Sequence, residues 1–328
     1  MTTNPAAFPT KDDITVCFAH VAYPMDEAFE KRNAGIDYFQ VRAAEDLDAK
    51  IAEADVLVVS GFWSNHLLEL ASRLRFIQSI GAGYDQFPLD ELRTRGIRLA
   101  SASGVNKNAV SEHALALILA FSRHIHEGRD NQRKHFWRGM IADIASREDE
   151  LAGKTLGIVG LGRIGSRVAR LAKAFDMRVV ATKRNPATAE GPADEVYTPD
   201  RLSELLQQSD YVVLNCPLTE ETRGIIDRTA FSQMKQSAYL VNVARGACVD
   251  EPALLEALKS GEIAGAAIDH FWDDPLLEDS PFWDMDNVIV TPHTGGETRM
   301  YEENVIDILL ENLDRLWRGE DALVNQIV

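Results

Sequence analysis

One strand-to-helix turn constrains this chain more than any other stretch: Gly157-Ile158-Val159-Gly160-Leu161-Gly162-Arg163-Ile164-Gly165. Before it, Lys154 to Val159 reads as a short apolar strand. After it, Arg163 to Phe175 carries Ile164, Val168, Leu171, Ala172 and Phe175 at the spacing of one helix face. Gly160, Gly162 and Gly165 therefore sit where a dinucleotide site needs them. The first allows a tight turn, and the second lets backbone approach a pyrophosphate. The third lets helix and strand pack closely, with the helix N-terminus toward the anion. A further strand, Arg178 to Ala181, follows at the right remove.

The rest of the chain repeats this alternation. Strands are expected at Ile14 to Ala19, Asp37 to Val41, Val56 to Ser60, Phe76 to Ser79 and Ile97 to Ala100. Helices are expected at Met25 to Asn33, Asp46 to Glu53 and His66 to Arg73. A long helix, Asn108 to His126, precedes a polar segment, Arg129 to Glu150, that fits no regular pattern. Beyond the glycine turn, strands are expected at Tyr211 to Asn215, Ala238 to Asn242, Gly265 to Asp269 and Val288 to Thr291. Helices are expected at Leu202 to Gln207, Arg228 to Met234, Glu251 to Ser260 and, last, Glu297 to Trp317. Strand–helix alternation of this kind implies parallel sheets covered by helices on both faces, so the fold class is α/β with two doubly wound units. Ligands of such folds bind at the carboxyl ends of the strands, and a cleft between two sheets is the expected place.

Composition narrows the function. With 328 residues the chain is long enough for two full cores. A formal charge of -17 argues against nucleic-acid and anionic-membrane partners, because its field repels both. An anionic ligand must then be met by locally placed Arg and Lys. Cys17, Cys216 and Cys248 are widely spaced with no Cys-x-x-Cys pair, which argues for reduced thiols in a cytoplasmic setting and for no zinc or other metal site. Met1 to Asp13 lacks a basic region followed by an apolar run, so no signal peptide is expected. No apolar stretch approaches a membrane span.

Four segments in order make the chain resemble the D-isomer-specific 2-hydroxyacid dehydrogenase family. They are Ser79-Ile80-Gly81-Ala82-Gly83-Tyr84-Asp85, the glycine-rich turn, Val241-Asn242-Val243-Ala244-Arg245-Gly246, and Ile289-Val290-Thr291-Pro292-His293-Thr294-Gly295-Gly296. The resemblance implies a Rossmann dinucleotide-binding domain over 103–294. It also implies a discontinuous, flavodoxin-like substrate-binding domain over 1–102 and 295–328. Members are commonly dimers through the nucleotide domain, and Asn108 to His126 with Arg129 to Glu150 would supply that contact.

The family's catalytic arginine falls on Arg245, just past an apolar strand. A 2-oxo acid presents a carboxylate and an adjacent carbonyl, and a guanidinium offers donors to both in one plane. His293 follows Pro292 at a strand end and matches the family's general acid/base, a role suited to a side chain that titrates near neutrality. The other seven histidines are read as structural or surface residues, although His270 lies near the same strand end and is placed to line the site. In the family pattern Asp-Val-Phe-x-x-Glu-Pro the glutamate orients the histidine. Here the segment is Asp269-His270-Phe271-Trp272-Asp273-Asp274-Pro275, so Asp274 holds that place with one methylene less. Its charge still favours the protonated imidazole.

Other roles follow from the resemblance. Ala82 and Gly83 match the substrate-carboxylate turn, and Trp63 beside Phe62 is a candidate apolar wall of the substrate site. Asp269 matches a residue that meets the nicotinamide carboxamide. Cys216, Pro217 and Thr222 belong to the loop under the adenosine and ribose, and Arg163, Ile164, Val243 and Gly295 complete the cofactor contacts.

An acidic residue about 20 positions beyond the glycines normally accepts the ribose hydroxyl of NAD. This chain has Lys183 there, followed by Arg184, and both can pair with a 2'-phosphate. NADP(H) is therefore expected over NAD(H). The activity implied is hydride transfer between NADP(H) and C2 of a small 2-oxo or 2-hydroxy acid of the D series, in the reductive direction. The alternatives are an NAD-dependent relative with another hydride donor and a dinucleotide-sensing binding protein like the corepressors that share this fold.

Overall fold

The structure is a computed structural model that describes residues 8–328. The first seven residues, part of the stretch read for a signal peptide, lie outside the described ones. The chain divides into two compact units, 1–106 with 298–328 and 107–297.

The first unit carries β1 (Thr15–Ala19), β2 (Asp37–Val41), β3 (Val56–Val59), β4 (Phe76–Ser79) and β5 (Arg98–Ala100). They form one sheet in the order β2-β1-β3-β4-β5, and every ladder is parallel. This is the flavodoxin-like order, in which strand succession reverses between β1 and β3. Every residue of β3 and β4 is buried, as expected of strands covered on both faces. The C-terminal helix Tyr301–Trp317 buries Val305, Ile306, Leu309 and Leu313 in the same core as Phe18 and Phe29. Its buried Asn312 donates to Gln78 Oε1 at 3.0 Å and accepts from the Val324 amide at 2.7 Å, which ties the chain end to the sheet.

The second unit carries β6 (Thr155–Val159), β7 (Arg178–Thr182), β8 (Glu195–Tyr197), β9 (Tyr211–Leu214), β10 (Tyr239–Asn242), β11 (Gly265–Ile268) and β12 (Val288–Val290). Their order is β12-β11-β10-β9-β6-β7-β8, again parallel throughout. The chain runs outward from β6 to β8, then returns to β9 on the other side of β6. The glycine-rich turn after β6 and the Asn215–Cys216 turn after β9 thus flank the point where strand order reverses, the usual ligand crevice of this architecture.

Several expectations change in detail: the helix expected over His66 to Arg73 is only Leu67–Leu70, and the one over Asp46 to Glu53 is Ala44–Lys50 with a 3-10 turn, Ile51–Glu53, after it. The helix foreseen over Asn108 to His126 is instead Lys107–Ser122, and a second helix, Ile125–Arg133, starts after His124. His124 has φ +50°, a left-handed conformation that ends the first helix, and the second buries none of its residues. The last helix begins at Tyr301, not at Glu297. No helix among the described residues is long and apolar enough to cross a membrane. The three cysteines are free and buried, and burial pushes the Cys17 thiol up to about 12.

Candidate active site

The glycine turn shows why Gly160 and Gly165 are needed. Gly160 has φ +100°, and a Cβ there would stand 2.8 Å from the Cys216 nitrogen. At Gly165 a Cβ would lie 2.4 Å from the Gly160 carbonyl oxygen, so this residue lets helix Arg163–Lys173 sit against β6. Gly162 is the opposite case: it is exposed, and its Cβ would meet nothing within 4 Å. Gly162 is also the N-cap, and no side chain caps the helix. A ligand can therefore approach the backbone closely at this helix N-terminus, the arrangement that receives a pyrophosphate. Arg163 is exposed beside them, and Ile164 packs half-buried against the core.

Across the reversal, the buried side-chain amide of Asn215 has no protein partner at either Nδ2 or Oδ1. Buried polar groups are normally satisfied, so an orphan here points to a ligand group. Cys216 is buried in the core beside it, while the Thr222 hydroxyl donates to Pro217 O at 2.6 Å and accepts from the Thr219 amide at 2.7 Å, closing that loop. Lys183, just past β7, reaches back so that its Nζ donates to Leu161 O at 3.0 Å, inside the glycine turn. Arg184 is exposed next to it, close enough to Glu221 to help hold that carboxyl low, after the hydrogen bond from Thr219. A dinucleotide fits these residues: a helix N-terminus bare of side chain at Gly162, an unpartnered carboxamide and a basic pair at the end of β7.

Arg245 is launched by a turn that Asn242 clamps. Buried Asn242 accepts from the Ala244 amide at 3.0 Å and donates to Arg245 O at 2.9 Å. Val243 is buried in the core within this turn. Gly246 then brings the turn against the next loop, since a Cβ there would lie 2.3–2.6 Å from backbone atoms of Phe271 and Trp272. The Arg245 Nη1 donates to Ala244 O at 2.8 Å and stands 3.4 Å from His270 Nε2.

His270 and His293 leave the ends of adjacent strands, because Ile268 of β11 pairs with Val290 of β12. Their rings lie 3.6 Å apart between centroids. His293 has φ +55°, an uncommon backbone state for a side chain with a Cβ, and its amide donates to both Asp269 O and Thr291 O at 3.0 Å. Its Nδ1 is 2.5 Å from Asp274 Oδ2, with both side chains half-exposed. Aspartate therefore reaches the imidazole despite its missing methylene. Burial first, then His293 and Arg245, pushes His270 down to about 3, which keeps this imidazole in its neutral form.

Asp269 does structural work. Its Oδ1 accepts from Thr291 Oγ1 at 2.7 Å and the Thr294 amide at 3.0 Å, and its Oδ2 from the Gly295 amide at 3.0 Å. His113 on the long helix stands 3.4 Å from Oδ1 and 3.1 Å from Thr291 Oγ1. Burial alone would raise the Asp269 carboxyl, but the bonds from His113, Thr291 and Gly295 outweigh it and bring it to about 2. Gly295 is required by this packing, since its Cβ would lie 2.7 Å from Asp269 Oδ2.

The structure thus brings Arg245, His293, Asp274, Asp269 and Gly295 to one end of the second sheet, with the glycine turn, Lys183 and Cys216 at the reversal of the same unit. Ala82, Gly83 and Trp63 belong to the first unit. Ala82 is exposed and Gly83 half-buried in the turn after β4. Trp63 is buried against Phe87, with its indole donating to Asn65 Oδ1 at 3.1 Å.

Residues 115–295 match the family described as D-isomer specific 2-hydroxyacid dehydrogenase, NAD binding domain. A glyoxylate reductase of Pyrococcus furiosus is 40% identical over 294 residues, 87% of this chain and 86% of that one. The chain belongs to the D-isomer specific 2-hydroxyacid dehydrogenase family. It is an NAD(P)-dependent oxidoreductase, a 2-hydroxyacid dehydrogenase or reductase. Solved structures of similar shape include an acyclic imino acid reductase in complex with NADPH and D-Arg (26% identity, TM-score 0.81, 96% of this chain and 100% of that one). Another is an NAD-dependent formate dehydrogenase of Staphylococcus aureus in complex with NAD (25% identity, TM-score 0.78, 96% and 99%).

Residue-by-residue reading of the sequence missed Asn215, Asn242, Thr291 and His113. The first three sit at or next to strand ends, a position that flags them once the strands are drawn. For His113 the sequence offers no signal, since its partner is 178 positions away.

Proposed function

We propose that this dehydrogenase reduces a small 2-oxo acid of the glyoxylate class with NADPH, using Arg245 to hold the substrate and His293, supported by Asp274, as the acid. The observation that carries this reading is the convergence of Arg245 and His293 on His270, with Arg245 Nη1 3.4 Å from its Nε2 and the two imidazole centroids 3.6 Å apart, and with Asp274 on the His293 Nδ1.

The chemistry follows from donor counting. Both protons of Arg245 Nη1 are engaged, one by Ala244 O and the other toward His270 Nε2. The Nε–Nη2 edge is left for the substrate, and it matches a carboxylate and its neighbouring carbonyl in one plane. At His293 the Nδ1 proton is committed to Asp274, which fixes the tautomer and leaves Nε2 to deliver a proton to the developing alkoxide. Bound NADPH supplies the hydride to C2. Asp274 balances the imidazolium before transfer, and the proton that leaves Nε2 ends on the product hydroxyl. The clamp of Asp269 on Thr291, Thr294 and Gly295 keeps the His293 loop in register.

The preference for NADPH is supported by Lys183. Its Nζ spends one of three donors on Leu161 O, which leaves two for a 2'-phosphate, beside the exposed Arg184. The relative from Pyrococcus furiosus supports the substrate class through its name. The test is a panel of 2-oxo acids assayed with both reduced cofactors. The expected outcome is turnover of glyoxylate or hydroxypyruvate with a kcat/KM ratio favouring NADPH, and reversal of that ratio toward NADH in Lys183→Asp. A wild-type preference for NADH contradicts the cofactor assignment.

A homodimer is part of the same proposal. It is supported by the exposed side chains of Ile125, Phe136, Trp137, Met140 and Ile144, which crowd one segment of the second unit. Contiguous exposed apolar surface of this kind marks a protein contact.

A further inference from the structure

Two departures from the family pattern fall at one spot. Where Asp-Val-Phe-x-x-Glu-Pro has valine and glutamate, this chain has His270 and Asp274. With His293 they offer one ligand atom each, and the three atoms all lie within 4.8 Å of one another. We propose that His270, Asp274 and His293 form a binding site for a divalent transition-metal ion of the zinc class, and that its occupancy inhibits the enzyme.

The donor set argues for this class of ion. Two imidazole nitrogens and one carboxylate oxygen suit Zn2+ and its neighbours, whereas Mg2+ and Ca2+ take mostly oxygen. The scaffold is fixed where it matters. His270 is buried at the end of β11, and the His293 loop is tied to Asp269 by its own amide. Zinc bonds of about 2.0–2.1 Å require ligand atoms roughly 3.3 Å apart, so the half-exposed Asp274 and His293, now 2.5 Å apart, spread slightly from each other as they close on the buried His270. Solvent takes the fourth position.

Two costs set the character of the site. The ion replaces the proton shared by His293 Nδ1 and Asp274 Oδ2, and it lies near the guanidinium of Arg245, 3.4 Å from His270 Nε2. Such a site is reversible and weaker than a structural zinc centre. Binding occupies His293 and removes its carboxylate partner, so protonation of the substrate stops. That consequence rests on the role proposed for His293, whereas the binding itself does not.

The experiment uses the full chain, dialysed against a chelator, titrated with Co2+ and followed by visible absorption; Zn2+ inhibition is measured in parallel against each variant's own metal-free rate. Expected is a saturable band from low-symmetry, nitrogen-ligated Co2+ at one ion per chain, displaced by Zn2+ and untouched by Mg2+. His270→Val should weaken both the band and Zn2+ inhibition by at least about 10-fold. Asp274→Asn, at a half-exposed position, gives the same binding readout should the buried His270→Val lose its fold. A band absent from the wild type, or equal in wild type and both variants, overturns the site. A band that depends on His270 while turnover stays undiminished upholds the site and counts against His293 as the acid.

Discussion

At His293 the backbone has φ +55°, and the ring meets Asp274 through Nδ1 and lies against the ring of His270. A left-handed backbone at a residue with a Cβ is held only when its surroundings over-determine it, and here two amide bonds and a side-chain bond do so. Asp274 contributes through charge and aim, so removing the charge while keeping the shape separates the two. Asp274→Asn should lower kcat on the order of 10²-fold with little change in KM, read by steady-state kinetics, because asparagine neither balances an imidazolium nor fixes the tautomer. Asp274→Glu, which restores the usual residue of the pattern, should retain activity within a few-fold. Arg245, His293 and Asp274 were legible because each sits in a short segment with its strand and its turn attached. His113 was not, since nothing within its own helix distinguishes a residue that reaches Asp269 from one that faces water.

Elements explain how distant segments converge. Parallel register sets Asn242 beside Ile268, and Ile268 beside Val290, so the turns after β10, β11 and β12 emerge in a row. Contact between the first two depends on Gly246, where a Cβ would lie 2.3 Å from the Phe271 carbonyl carbon. Gly246→Ala should therefore push the Arg245 turn away from the His270–Phe271 loop. The expected outcome is a stability loss of about 1–3 kcal/mol by denaturant titration, with a larger rise in KM for the 2-oxo acid than for NADPH. Unchanged stability would mean that the two turns do not pack as described. Most strands were legible from their apolar runs, which are buried on both faces. Helix limits were less so. The break at His124 is a backbone event that the surrounding periodicity does not encode, and the short helix Leu89–Arg95 lacks a pattern long enough to read.

At the scale of the molecule, the charge of -17 sets a background that repels anionic ligands, and the proposed function relies on Lys183, Arg184, Arg163 and Arg245 to offset it locally. The same sequence leaves Trp137 and Met140 almost fully exposed, at 95% and 102%. A polar, unpatterned reading of Arg129 to Glu150 hid this, because isolated apolar residues among charges carry no periodicity. If these side chains join two copies, the double variant Trp137→Ser, Met140→Ser should sediment as a monomer at concentrations where the wild type is a dimer. A wild type that sediments as a monomer contradicts the dimer.

The central claim is that His293 gives the proton while Arg245 holds the substrate. Single-turnover reduction of glyoxylate by NADPH in His293→Gln tests it most directly, with NADPH binding measured on the same preparation. The account predicts a rate lower by about 10²- to 10⁴-fold with the NADPH Kd unchanged, and a variant that turns over at the wild-type rate contradicts it.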